Sequence, residues 1–380
     1  MSNVIDYIIN VNCYITYAIH YTVRSTALIE YSHQLPRAMK LSRKKRPTIA
    51  DVAQQSDVST ATVSRALQNP ELVSESTRKL VFDAVEQTGY RVNTVAKMLR
   101  QNRSGTLLVM LPDIANPFFS EILSGIEDAA TEKNHTILIG NTNGLDNHAR
   151  DLLEYLRNGR ADGALLLNGS IPLPPNEIAS LALVSISETI PNVDISHVGT
   201  DNVRATADAT QHLIDSGHKR IAHFCGPEGN VLLHQRRQGY EIAMKAAGLE
   251  SNIQCVTCGF TVEDGQSASM RMLNSKTIPS AIVCPSDTAA MGAVTALRTK
   301  GISVPQDISI IGFDDIEFAS LFSPPLTTIR QQRKEMGRQA TTLLLELISG
   351  AARKTENVVT EHILVKRNST HKYIDQAEAN

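Results

Sequence analysis

From residue 48 onward the apolar positions fall at helical spacing. Ile49, Val52 and Ala53 share one face, the pattern breaks at Ser56-Asp57-Val58-Ser59, and Val63, Ala66 and Leu67 resume it. Thr48 and Ser59 are hydroxyl residues placed to cap two helices. Asp51 falls in the first turn, where a carboxylate meets the positive end of the helix dipole. The pattern predicts two short helices joined by a tight turn, the second over 60–67, with Ala53 and Ala61 small enough to let them approach. A third helix begins at the Ser74-Glu75-Ser76-Thr77-Arg78 cap, carries Leu80, Val81, Ala84 and Val85, and stops at Gly89. A short segment over 93–100 puts Val95, Ala96 and Leu99 on one side.

After a polar joint at 101–105 the texture changes to alternation. Strand-like runs cover 106–111, 136–140, 163–167, 183–186, 221–226, 281–284 and 308–313. Amphipathic helical patterns cover 118–132, 149–158, 203–216, 237–247, 262–273, 288–300 and 334–348. Such alternation predicts parallel sheets covered by helices on both faces, and the number of units exceeds one core. Ligands of such sheets bind beyond the carboxyl ends of strands, which nominates 112–119, 141–143, 226–227, 285–287 and 312–315.

Charge separates the two regions. The whole chain of 380 residues nets −2, but residues 40–103 carry 12 Lys/Arg against 6 Asp/Glu, and 104–380 net −8. A basic small region on an acidic body fits a nucleic-acid-binding module attached to a sensor. Within the basic region, the outer face of the second helix holds Thr60, Ala61, Thr62, Ser64 and Arg65. These side chains are short and polar with one cation, a set suited to reading base edges in a DNA major groove. Lys40, Arg43, Lys44, Lys45 and Arg46 form a basic arm before it, suited to phosphate contact.

Other features exclude more than they add. The five cysteines include one C-x-x-C, Cys255 and Cys258, inside a strand-like run and without a second pair at zinc spacing, so no metal is expected. Residues 1–38 are rich in Ile, Tyr and Val but broken by Asp6, His20 and Arg24, and lack a signal peptide's basic start and cleavage site. Met39 is read as the true start, and the segment before it as disordered or mis-called. No P-loop, G-x-S-x-G, H-E-x-x-H or strand-borne G-x-G-x-x-G occurs, so neither an enzyme nor a cofactor is expected.

The block Ile49–Ala53, Val58–Arg65, Val73-Ser74, Thr77-Arg78, Gly89-Tyr90 and Asn93–Ala96 resembles the DNA-binding headpiece of the LacI/GalR family of bacterial repressors. Val92 departs from it, since the family usually has proline there. Asn116–Phe119, Gly217–Ile221, Arg236–Tyr240, Ser286-Asp287, Ser309–Asp315 and Pro325–Ile329 resemble the same family's effector core, itself similar to periplasmic sugar-binding proteins. Within the family, 58–67, 107–113, 117–121, 137–140 and 324–329 look closest to the cytidine-responsive branch.

The resemblance implies a homodimer in the cytoplasm, without a membrane role, that represses transcription at a pseudo-palindromic operator and senses a small molecule, a nucleoside such as cytidine. It also implies action beside the cyclic-AMP receptor protein. DNA contact is expected from Thr48, Ser59, Thr60, Ala61, Thr62, Ser64 and Arg65, and from a hinge helix with Asn93, Val95, Ala96 and Leu99, where the family's leucine wedges into the minor groove. Effector contact is expected first from Arg236, whose fork can grip hydroxyls or a carbonyl. Asp314 could accept from sugar hydroxyls, and Phe118, Phe119 and Phe260 could sandwich a base. Ser187, Ser286 and Asp287 are further lining candidates. The expected organisation is an extension with the basic arm over 1–45 and a small all-α helix-turn-helix headpiece over 46–92. A hinge over 93–104 leads to an α/β core over 105–380, made of two doubly wound parallel-sheet lobes with crossings near 187–190, 329–331 and 355–365. Two other readings compete: a solute-binding module without a DNA role, which the headpiece opposes, and a nucleoside- or sugar-processing enzyme, which the missing catalytic constellation opposes.

Overall fold

A computed structural model describes residues 47–91, 103–226, 229–351 and 355–374. The chain divides into two compact units, Met1–Asn93 and Thr94–Asn380. The first contains α1 (Ile49–Gln55), α2 (Thr60–Gln68) and α3 (Glu75–Thr88). Local chemistry fixes each helix end. The Thr48 amide and hydroxyl both donate to the Asp51 carboxylate, at 2.7 and 2.8 Å. Ser59 Oγ accepts from the Thr62 amide at 3.1 Å, Ser74 Oγ from the Thr77 amide at 3.3 Å, and α3 stops on left-handed Gly89. The helical stripes then meet: Val52, Ala53, Val63, Ala66, Val81 and Ala84 are buried against one another, with Ile49, Val58, Leu67 and Tyr90 packed around them.

The second unit has two lobes. Lobe one is built first from β1 (Thr106–Leu111), α4 (Phe118–Glu132), β2 (Thr136–Asn141), α5 (Asp146–Arg157), β3 (Gly163–Leu166), α6 (Pro175–Ile178), β4 (Leu183–Ile186) and β5 (Ser196–Thr200). Lobe two follows with α7 (Asn202–Asp215), β6 (Ile221–Cys225), α8 (Val231–Ala246), β7 (Gln254–Thr257), α9 (Val262–Leu273), β8 (Ala281–Val283), α10 (Asp287–Thr299), β9 (Ser309–Asp314), α11 (Glu317–Leu321) and β10 (Thr327–Gln331). The chain then returns through α12 (Arg333–Ser349) and β11 (Asn357–Thr360) to lobe one, and finishes with β12 (His362–Val365) in lobe two.

Lobe one's sheet runs β11-β5-β4-β3-β1-β2, all parallel; lobe two's runs β12-β10-β9-β8-β6-β7, parallel except for the β10–β12 edge. Buried on both faces, the strands read as near-continuous apolar runs. Leu107, Val109 and Leu111 face Ile122, Ile126, Met336 and Leu344 on one side of lobe one, while Leu108 and Met110 face Ala149 and Leu153 on the other.

Several boundaries differ from the sequence reading. The first crossing lies between Thr200 and Asn202, not near 187–190. The β4–β5 connection carries no helix, so the alternating pattern lapses one strand before the lobe ends. The other two crossings fall close to the expected positions, at Gln332 beside 329–331 and at Glu361 within 355–365. β5, β10, β11 and β12 are only four or five residues long, and the first three are polar at half or more of their positions, which hid them. α8 begins at Val231, six residues before the expected start, because Asn230 Oδ1 caps it by accepting from the Leu233 amide at 2.9 Å.

Close helix contact at the lobe-one surface sets one test. α4 and α12 touch through reciprocal glycines: a methyl group on Gly125 would overlap the Lys334 carbonyl, and one on Gly337 the Ile122 carbonyl. Because both obstacles are backbone, Gly125→Ala should force the helices apart and destabilise the core by about 1–3 kcal/mol. Unchanged thermal unfolding of that variant would show that the pair relaxes freely.

Candidate functional site

Two surfaces carry the chemistry. In the first unit, α2 turns Val63 and Ala66 inward and leaves Thr60, Ala61 and Arg65 exposed and Thr62 and Ser64 half-buried. Among the described residues the Arg65 side chain makes no hydrogen bond or ion pair and is exposed. Thr48 and Ser59 are exposed, but their hydroxyls are engaged as caps, so each has only its remaining hydrogen-bonding capacity for a ligand. Asn93, Val95, Ala96 and Leu99 lie outside the described residues.

In the second unit a cavity of about 110 Å³ opens between the lobes, at the carboxyl ends of their strands. Lobe one contributes Pro112, Asn116, Phe118, Phe119, Leu167, Ser187 and Glu188; lobe two contributes Leu232, Arg236, Phe260, Ser286, Thr288, Asp314 and Ile316. Seven of the eight expected effector residues thus line one space. Phe118 and Phe119 meet edge to face with ring centres 5.2 Å apart. Arg236, 2% exposed, lies in the middle of α8. Its Nε donates to Asn202 Oδ1 at 2.9 Å, one terminal nitrogen donates to the Pro285 carbonyl, and the other faces Asp314 Oδ1 at 3.9 Å. Its guanidinium lies 3.7 Å from the centre of the Phe313 ring, an arrangement that holds a buried cation without full hydration.

The acidic groups are tuned by burial. Asp314 is pushed up to about 6 by burial, with Arg236, Arg333 and the bond from Gln331 Nε2 (2.7 Å) pulling it back. Glu188 is likewise raised by burial, with Arg236 opposing. Ser187, Asp314 and Asp315 all have positive φ, at 68, 111 and 53°, a concentration of backbone strain typical of binding sites.

Asp287 is the exception among the expected residues. It does not line the cavity. Its Oδ1 accepts from Thr328 Oγ1 at 2.6 Å and its Oδ2 from the Ile316 amide at 2.9 Å, so it anchors the turn after β9 from inside lobe two. As the first residue of α10 it points back into the lobe, while its neighbour Ser286 faces the cavity and bonds the Phe260 carbonyl at 2.9 Å. Among residues the sequence reading left out of its site, Thr288 is next to that pair and Leu167 directly follows β3; Asn116 falls in a nominated strand-end segment. Cys255 and Cys258 pack on opposite faces of the lobe-two sheet, and among the described residues no three His, Cys, Asp or Glu side chains are grouped to hold a metal.

The charged form of Asp314 costs stability, which gives a pH test. Its folded pKa lies above the unfolded value near 4, so the folded state takes up the proton first. Its contribution is therefore most favourable below about pH 4 and is lost as pH rises through about 6. The melting temperature of the wild type minus that of Asp314→Asn should fall by a few degrees from pH 4 to pH 7. A difference that does not change with pH would contradict this.

Comparison with known proteins finds matches for both units of the chain. Residues 48–93 match the bacterial regulatory proteins of the lacI family, and residues 210–370 match the periplasmic binding protein-like domain. The chain is 38% identical over 344 residues to the HTH-type transcriptional repressor CytR of Escherichia coli strain K12, covering 87% of this chain and 99% of that one. It is 33% identical to the HTH-type transcriptional repressor PurR of Haemophilus influenzae strain PittEE, covering 84% and 98%. Its structure is similar to that of the lac repressor dimer bound to operator and the anti-inducer ONPF, at a TM-score of 0.74 and 26% identity over 86% of this chain and 100% of that one.

Proposed function

The chain belongs to the lacI family of bacterial regulatory proteins and is a DNA-binding transcriptional repressor, not an enzyme; from that premise we propose that its effector is a nucleoside, cytidine first. The observation that carries this reading is the composition of the interlobe cavity. Phe118, Phe119 and Phe260 supply flat apolar surface for a base, while Asp314 and Glu188 supply acceptors for hydroxyl and amino donors. Two carboxylates against the single Arg236 guanidinium leave the described lining without excess positive charge, which disfavours an anionic ligand, so a nucleoside fits better than its phosphate. The 38% identity to CytR supports the same choice.

On DNA, Thr60, Ala61, Thr62, Ser64 and Arg65 of α2 read the major groove, with Thr48 and Ser59 at the helix starts, and Leu99 of the hinge segment enters the minor groove. The protein works as a cytoplasmic homodimer, because one headpiece buries too little surface for selective binding. It acts beside the cyclic-AMP receptor protein. The signal leaves the core where the chain enters lobe one: Asp162 accepts from the Ser104 and Gly105 amides at 2.6 and 2.7 Å, and Arg103 donates to the Ile348 carbonyl near the end of α12 at 2.8 Å. These bonds tie the base of the hinge to lobe one, so it travels with that lobe when lobe closure changes.

Selection of genomic fragments by the full chain, followed by calorimetry with cytidine, uridine, adenosine, cytidine monophosphate and ribose, tests the reading. Cytidine should bind most tightly and its monophosphate at least tenfold more weakly. Binding of ribose alone would replace the nucleoside reading with a sugar one. On the selected DNA, Arg65→Ala should lose about 1–3 kcal/mol of affinity with a smaller loss on random DNA. Equal losses on both would make Arg65 a phosphate contact.

A further inference from the structure

One buried cation outside the cavity joins its two walls. Arg333, the first residue of α12, is 3% exposed and sits where the chain recrosses between lobes. Toward lobe one, its Nη1 donates to the Phe118 carbonyl at 3.2 Å and the Pro117 carbonyl at 3.4 Å. Toward lobe two, its Nη2 donates to the Asp315 carbonyl at 3.0 Å, and the same nitrogen faces Glu121 Oε2 of lobe one at 3.2 Å. Phe118, itself one of these acceptors, and Asp314, the residue before Asp315, are on opposite walls of the cavity.

The location is unfavourable for helix stability. A cation at a helix N-terminus meets the positive end of the dipole, and burial removes its water. Glu121 compensates little, being 56% exposed in its side chain. Arg333 Nε has no hydrogen-bond partner among the described residues. What the position does provide is a planar fork that reaches carbonyls of both lobes, which one lysine nitrogen cannot duplicate. Asp314 and Asp315 both have positive φ, so the turn that Arg333 grips needs external support.

We infer that Arg333 is a positioning residue for the effector site: it sets effector affinity without touching the effector, by holding the α4 turn of lobe one against the β9–α11 turn of lobe two. This rests on the reading of the interlobe cavity as the effector site. Without the fork the two walls separate, and apparent affinity falls in proportion to the fraction of molecules still closed.

The test compares wild type, Arg333→Met and Arg333→Lys as full chains. Hydrogen exchange without ligand is read first. Arg333→Met should raise exchange about tenfold or more at residues 118–122 and 315–317 while amides of α8 and α10 keep wild-type protection; Arg333→Lys should fall between. Calorimetry with cytidine should then show about tenfold weaker binding to Arg333→Met, with partial rescue by lysine. Unchanged exchange at both turns, a rise spread over the whole core, or unchanged cytidine affinity in a variant whose wild type binds it would overturn the assignment. If Arg333→Met does not fold, the lysine variant carries the same comparison. If wild type does not bind cytidine, the nucleoside reading fails and the ligand-free exchange alone decides Arg333.

Discussion

Arg236→Met should abolish effector binding, with more than a hundredfold loss of affinity, while operator binding persists. Among the described residues the guanidinium is the one cation lining the cavity, and it is almost fully enclosed. Its removal leaves Asp314 and Glu188, both already raised by burial, without the charge that opposes that rise. Truncating one member of a buried charged pair costs about 2–5 kcal/mol, and methionine keeps most of the volume, so the loss is electrostatic rather than a cavity effect. The bonds to Asn202 and Pro285 disappear as well, so lobe two should melt a few degrees lower without losing its fold. Calorimetry with cytidine beside thermal unfolding separates the two effects. Wild-type affinity in this variant would remove Arg236 from the site.

Val63→Asp should eliminate specific DNA binding and leave effector binding unchanged. Val63 is fully buried between α1 and α3, in a hydrophobic cluster with six buried members among the described residues. Domains of this size hold about 3–5 kcal/mol of stability, and an unpaired carboxylate in such a core costs at least as much. The headpiece therefore unfolds, whereas the core, a separate compact unit, keeps its own transition. Retained operator affinity in Val63→Asp would mean that the helices are not held by this cluster.

The headpiece was legible in the sequence because its determinants are local. Thr48 with Asp51, Ser59 with Thr62, and Gly89 each lie within a few residues of the group they satisfy, and the 3.6-residue period names the buried face. The lobes were legible from alternation where strands are apolar, as in β1 and β9. Alternation failed at β5 and β10–β12, which mix polar residues into short edge or crossing strands. Within the cavity, the rule of strand carboxyl ends located Phe118, Ser286 and Asp314 but could not tell Ser286 from Asp287. Only the fold turns the Asp287 carboxylate toward Thr328 and the Ile316 amide. Arg333 left no trace at all. Three of its acceptors are main-chain carbonyls, two of them more than two hundred residues away, and every residue has a carbonyl.

We propose that ligand in the interlobe cavity changes DNA binding by the headpiece. Fluorescence anisotropy of a selected operator fragment, titrated with the full chain with and without saturating cytidine, tests this most directly. At least a tenfold difference in operator affinity between the two titrations is expected, absent in Arg236→Met. Equal operator affinity with and without cytidine, for a chain shown to bind both, would contradict it.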